Sequence, residues 1–300
     1  MSTTIFEPPP RAAVRRSAAL ASRRKAVDLM VKWFCLAATL VGLFFLASIM
    51  ATLLWRGLAS MDWVVLTEEF RPTRYGDETA PKGGLVHAIL GSLIQTAIGT
   101  AIGTPIGLLV GTYLSEYARG SAFGNVLRFV SDVLLSAPSI LIGLFIYQLV
   151  VLPMGGFSGI AGALALAIIV IPVVVRTTED MLQLIPNTLR EAVIGLGAPK
   201  WKMITLVCYK AAASGILTGI LLAVARIAGE TAPLLLTSFG NNVTSFDLST
   251  AMASLPIAIY QQANSGFPDL IEIAWSGALL VTLGVLAINI IARTLLRGRQ

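Results

Sequence analysis

Residues 33–55, WFCLAATLVGLFFLASIMATLLW, carry no charged side chain. That run exceeds the roughly 20 apolar residues needed to cross a hydrocarbon core. Runs of similar character follow at 85–113, 129–154, 158–175, 211–239 and 270–296. In lipid every backbone N–H and C=O must be satisfied internally, and a helix does so within one segment. The ten-residue alternation of a membrane barrel is absent. The runs therefore predict an all-α polytopic membrane protein with six transmembrane helices. Composition agrees, at 13% charged and 56% hydrophobic, where soluble domains carry about 25% charge.

Orientation follows from Lys and Arg. With both termini inside, the inner segments hold Arg11, Arg15, Arg16, Arg23, Arg24, Lys25, Lys32, Arg119, Arg128, Arg176, Arg190, Lys200, Lys202, Lys210, Arg293, Arg297 and Arg299. The outer segments hold only Arg56, Arg71, Arg74 and Lys82, and Arg226 falls within a span. The positive-inside rule then places both termini in the cytoplasm. It also accounts for the net charge of +6 without nucleic acid as a partner. Residues 1–32 read as a basic cytoplasmic segment and 33–300 as the membrane domain. No short apolar core with a cleavage site stands near Met1, so a cleaved leader is not expected.

Catalytic signatures are missing. There is no GxxxxGK[ST] loop and no HExxH, and His87 stands without a nucleophile motif near it. Cys35 and Cys208 are far apart and lack metal-ligand spacing. The chain is therefore not expected to be an enzyme or to hold a metal or cofactor of its own. Energy for uphill transport would come from an ion gradient or from a partner.

Within the second run Gly99, Gly103, Gly107 and Gly111 recur every fourth residue. They line one helix face and permit close backbone approach to another helix. Pro105 inside the ladder predicts a kink, and a kinked helix can also be a moving part. Ser136, Pro138 and Ser139 interrupt the third run, where neighbouring groups must satisfy the freed carbonyl. Arg176 and Glu179, three apart after Pro172, read as an interfacial pair. The external segment 56–84 reads as a surface loop. Segment 240–269 includes SLPIAIYQQA, apolar enough to lie on or re-enter the membrane surface.

The fifth run holds Arg226 and Glu230, four apart and so on one helical face. Each costs about 2.5–3.5 kcal/mol at the bilayer centre on insertion scales, so such residues face a bundle interior or a watery path. Two readings stand. The pair can neutralise itself and hold helices together. Alternatively Arg226 meets an oxyanion through charge-assisted bonds while Glu230 orients it and prevents too tight a trap. Gly229 and Pro233 favour a local helix break.

Between the fourth and fifth runs lies PNTLREAVIGLGAPKWKMITLVCYK, residues 186–210. It reads as two short helices about a glycine turn, with Asn187 as N-cap, Gly197 at the left-handed C′ position and Pro199 opening the second helix. This charged pair, on the cytoplasmic side, is suited to meet a partner outside the bilayer.

The pair resembles the EAA loop of type I ABC-importer permeases. Glu191, Ala192 and Gly197 stand at the pattern's positions and Val207 supplies its later apolar residue, while Val193 replaces the second Ala. Lys210 replaces the expected proline, so the second helix can run on into the fifth span. LSAPSILIGLF (135–145), VVVRTTEDMLQLIP (173–186) and GILTGILLAVARIAGETAPLLLT (215–237) resemble the PstA family of phosphate-importer permeases. The resemblance implies a bacterial inner-membrane complex. Its other members would be a homologous PstC-like permease, a PstB-like ATPase dimer that binds ATP and Mg, and a PstS-like periplasmic phosphate-binding protein. It further implies that Glu191, Ala192 and Gly197 meet the ATPase, and that Arg226 and Glu230 serve inorganic phosphate on its way. The remaining surfaces meet membrane lipid. Import of molybdate or sulfate, a gradient-driven transporter and a non-transporting scaffold are the alternatives.

Overall fold

The computed structural model describes residues 11–71 and 83–297. Positions 1–10 of the basic segment, Arg74, Lys82 and Arg299 lie outside them. Contacts divide the chain into two units, residues 1–55 and 56–300. Helix α1, Arg11–Ala59, supplies the first, and the apolar side chains of its 27–50 stretch are mostly exposed.

The second unit begins with the short α2, Trp63–Thr67. Helix α3, Val86–Thr112, passes through Pro105 without a break and widens at its end into a π-helical turn, Tyr113–Tyr117. Helix α4, Ala122–Ser136, and α5, Ser139–Met154, follow. Helix α6 spans Gly159–Gln183 and α7 spans Asn187–Gly195. Helix α8, Lys200–Ile227, contains a π-helical stretch at Met203–Cys208. The short α9, Ala232–Thr237, then α10, Leu255–Ala263, and α11, Pro268–Arg297, complete the chain. Among the described residues five helices are long and apolar enough to span a membrane, and the bent pair α4–α5 can supply a sixth.

Three expectations need correction. The run 129–154 is not one helix, because α4 and α5 meet at 104°. Pro138 has no N–H and holds Ala137 in an extended conformation (φ −65°, ψ 135°). The fourth run continues past Val175 to Gln183, since no breaker occurs until Pro186. The fifth run begins at Lys200 and stops at Ile227, with residues 228–231 outside any helix.

The glycine ladder shows why α3 and α6 pack closely. Gly99, Gly103, Gly107 and Gly111 are all buried. A Cβ on Gly103 would lie 2.8 Å from the Ala167 carbonyl oxygen and from Val170 Cβ, and one on Gly107 would lie 2.6 Å from Val174 Cβ. Backbone therefore meets backbone, and dispersion contacts replace a side chain that has no room. Gly103→Val should destabilise the assembled protein by about 1–3 kcal/mol through overpacking. Gly284→Ala meets nothing within 4 Å and should leave the thermal midpoint of the purified complex unchanged. Equal midpoints for both variants would disprove the packing role.

Candidate functional site

Two sets of charged residues stand out, one at each end of α8. At its start the chain builds a rigid platform from the carbonyls that end α3. A helix terminus leaves its last carbonyls unpaired and slightly negative. Here Leu114, Ser115 and Glu116 give theirs to three cations. Arg128 Nη2 of α4 donates to Leu114 O at 3.1 Å, Arg119 Nε to Ser115 O at 2.6 Å, and Lys200 Nζ of α8 to Glu116 O. Lys200 also sits 4.3 Å above the Tyr117 ring, within cation–π range. Tyr209 of α8 and Thr112 of α3 join their hydroxyls at 2.6 Å.

The Glu116 carboxylate, 3% exposed, is paired with Arg190 of α7 at 2.8 Å. Arg190 also donates to the carbonyls of Leu182 and Ile185 at the end of α6. One buried guanidinium thus fixes α7 to two spans. Glu179 is likewise buried and pairs with Arg128 at 2.7 Å, while Gln183 Nε2 donates to the same oxygen. The expected Arg176–Glu179 pair is therefore not formed. Arg176 pairs instead with Asp180 at 3.3 Å, because Glu179 turns inward toward α4.

Helix α7 begins differently from expectation as well. Pro186 occupies the N-cap, and Asn187 is the first helical residue. Its side-chain oxygen accepts from Arg119 at 3.3 Å and from Arg190 at 3.4 Å. The end of α7 is a Schellman turn. Gly197 has φ +82°, its N–H bonds to Ile194 O at 2.9 Å, and Ala198 N–H bonds to Val193 O at 3.4 Å. Only glycine adopts that φ without steric cost. The turn packs Val193 inward and leaves Glu191, Ala192, Ile194, Leu196 and Trp201 outward. Leu196 is 88% exposed.

At the far end of α8, Arg226 sits in the last helical turn and Glu230 lies just beyond it in the break. They do not share a continuous helical face, yet their side chains remain 3.9 Å apart. Arg226 is 40% exposed and Glu230 16%. Beyond the break, α9 lies hard against α5, where a Cβ on Gly143 would come within 2.6 Å of Pro233 Cα. Distances separate the two sets. The platform pairs are tight, at 2.7 and 2.8 Å, the range of charge-assisted bonds. The Arg226–Glu230 pair is more than 1 Å longer, so its guanidinium keeps donors for another acceptor.

Nothing in the sequence marked Glu116, Arg190 or Arg128 as partners, since Arg190 finds Glu116 across 74 residues. The available signal was a carboxylate left at the end of an apolar, glycine-laddered helix. The same cost argument singled out Arg226.

Residues 103–299 match the family described as binding-protein-dependent transport system inner membrane component. A phosphate transport system permease protein PstA from Pasteurella multocida is 52% identical over 90% of this chain and 94% of its own length. A PstA from Haemophilus influenzae is 48% identical over 92% and 96%. In fold, the chain resembles a subunit of a bacterial alginate ABC transporter solved in complex with an alginate pentasaccharide-bound periplasmic protein. There the TM-score is 0.62 at 14% identity, covering 90% of this chain and 94% of that one.

Proposed function

We propose a working scheme from one premise: this chain belongs to the family of binding-protein-dependent inner-membrane transport components, and within it to the PstA permeases. It is a multi-pass inner-membrane subunit of an ATP-driven phosphate importer and not itself an enzyme. As an ABC-importer permease it works with an ATPase and a binding protein. The finer scheme is our reading. A homologous PstC-like permease completes the pathway, and a PstB-like ATPase dimer holds ATP and Mg. A PstS-like protein delivers inorganic phosphate from outside. Both termini and the platform face the cytoplasm, as the distribution of Lys and Arg supports.

In this reading the outward face of α7, with Glu191 and Ala192 beside exposed Ile194 and Leu196, docks in the ATPase. Gly197 sets the angle at which the chain leaves it. Arg226 meets phosphate, and Glu230 competes for the same guanidinium so that the anion is passed on. The single observation that carries this is the loose 3.9 Å pair at the helix break that ends α8.

Glu191→Lys reverses one exposed charge without touching the platform. It should weaken co-purification of the ATPase at least about tenfold, an effect of the size seen for interface charge reversals. Unchanged co-purification would remove Glu191 from the docking face. Uptake of labelled phosphate by the reconstituted importer, competed with excess sulfate or molybdate, tests the cargo. Phosphate uptake that persists supports the reading, and its suppression by either rival argues for a different oxyanion. A gradient-driven mechanism predicts uptake that survives loss of ATPase activity.

A further inference from the structure

A separate cavity lies at the other end of α3. Its second residue, His87, and Glu116 of the platform are separated by roughly 40 Å at 1.5 Å per residue. The cavity measures about 220 Å³ and opens between Phe70, the start of α3, the segment 240–242, one face of α10 and Leu270 of α11. Three polar atoms of its lining residues are buried without a hydrogen-bond partner among the described residues: His87 Nδ1, Ser254 Oγ and Gln262 Oε1. The residues are 4%, 0% and 5% exposed. Buried polar atoms are rarely left so, because they have given up water and gained nothing.

Ser254 is the most telling of the three. It is the N-cap of α10, where a serine hydroxyl ordinarily accepts a bond from the first turn of the helix. Here its side chain makes no capping bond. Ser254, Ala258 and Gln262 all line the cavity, and their spacing of four places them along one helix face. His87 holds its ring edge-on to Phe70, with centroids 6.3 Å apart.

We propose that this cavity is a binding site for a small uncharged solute carrying both a hydrogen-bond donor and an acceptor, namely a polyol or a primary carboxamide. The Ser254 hydroxyl donates to an oxygen of the solute, Gln262 Oε1 accepts from its O–H or N–H, and His87 Nδ1 is the third partner. Charge sets the class. Among the described residues no Asp, Glu, Lys or Arg lines the cavity, so a buried anion or ammonium would find no counter-charge on these walls. Glu69, next to Phe70 in the chain, accepts from Thr244 N–H at 3.1 Å. Phe70, Ile257 and Leu270 offer apolar wall to a carbon skeleton. The volume is about seven times the roughly 30 Å³ share of one water. A solute held there would bridge α3, α10, α11 and the segment beyond α9.

The test uses the intact importer in nanodiscs with erythritol and propionamide as probes, read by saturation-transfer NMR. Wild type should give a saturable signal with at least one probe, and inorganic phosphate should not displace it. Ser254→Ala and Gln262→Leu should each raise the dissociation constant about fivefold to tenfold, the loss of one buried hydrogen bond. Ser254→Thr, which keeps the hydroxyl, should bind as wild type does. If Gln262→Leu does not assemble, the Ser254 pair carries the comparison. Absence of a saturable signal with both probes, indifference to the Ser254 substitutions, or displacement by phosphate would overturn the proposal.

Discussion

Arg226→Gln is expected to reduce phosphate uptake by at least about 100-fold while the four-part complex still assembles. The substitution keeps polarity and the start of the aliphatic stem but shortens the side chain and removes the charge and the forked donors. Two charge-assisted bonds to an oxyanion contribute about 1.5–3 kcal/mol each, so losing both corresponds to roughly 10²–10⁴ in rate or affinity. Assembly should survive, because Arg226 is 40% exposed and pairs only loosely with Glu230 at 3.9 Å. The measurement is labelled-phosphate uptake alongside co-purification of the partners. Near-normal uptake in an assembled Arg226→Gln complex would sink the anion-path reading and leave the pair as helix packing. Arg226→Lys is an informative companion. It retains charge without the fork, and should recover only part of the uptake.

The second large effect belongs to the platform. Arg190→Met strands the Glu116 carboxylate in a buried position, and breaking a buried pair costs about 3–5 kcal/mol. It also frees the Leu182 and Ile185 carbonyls that Arg190 holds. We expect a clear fall in the thermal midpoint of the purified subunit and loss of ATPase co-purification. Adding Glu116→Leu removes the stranded charge and should restore most of the midpoint. Association with the ATPase should stay low in the double variant, since α7 is no longer fixed to α3. Full recovery of both would show that the pair contributes stability and nothing to coupling.

Helices were legible where a one-dimensional pattern determines them. Apolar length located the spans, spacing of four exposed the Gly99–Gly111 ladder, and Gly197 announced the turn after α7. Arg226 and Glu230 stood out because charge is costly in lipid. What escaped depends on the third dimension. Glu179 has basic neighbours in sequence, yet turns away from Arg176 to Arg128 of another helix. Glu116 looks like an ordinary interfacial carboxylate until Arg190 arrives from 74 residues away. Pro138 announced a break, but the 104° angle between α4 and α5 is a three-dimensional property that no local pattern carries. The lining of the neutral cavity is gathered from segments as distant as Phe70 and Leu270, so no local motif could reveal it.

Lys210 stands where a proline would have divided the fifth span, and the helix from Lys200 to Ile227 runs on through it. A rod of that length reaches about 40 Å at 1.5 Å per residue. Tilting it by about 5° around its platform end would sweep Arg226 through roughly 3.5 Å. That displacement is comparable to the 3.9 Å now separating Arg226 from Glu230. Under the proposed scheme, a small angular stroke at the ATPase shifts Arg226 by that amount through one continuous helix, whose π-helical stretch at Met203–Cys208 lies near the platform end.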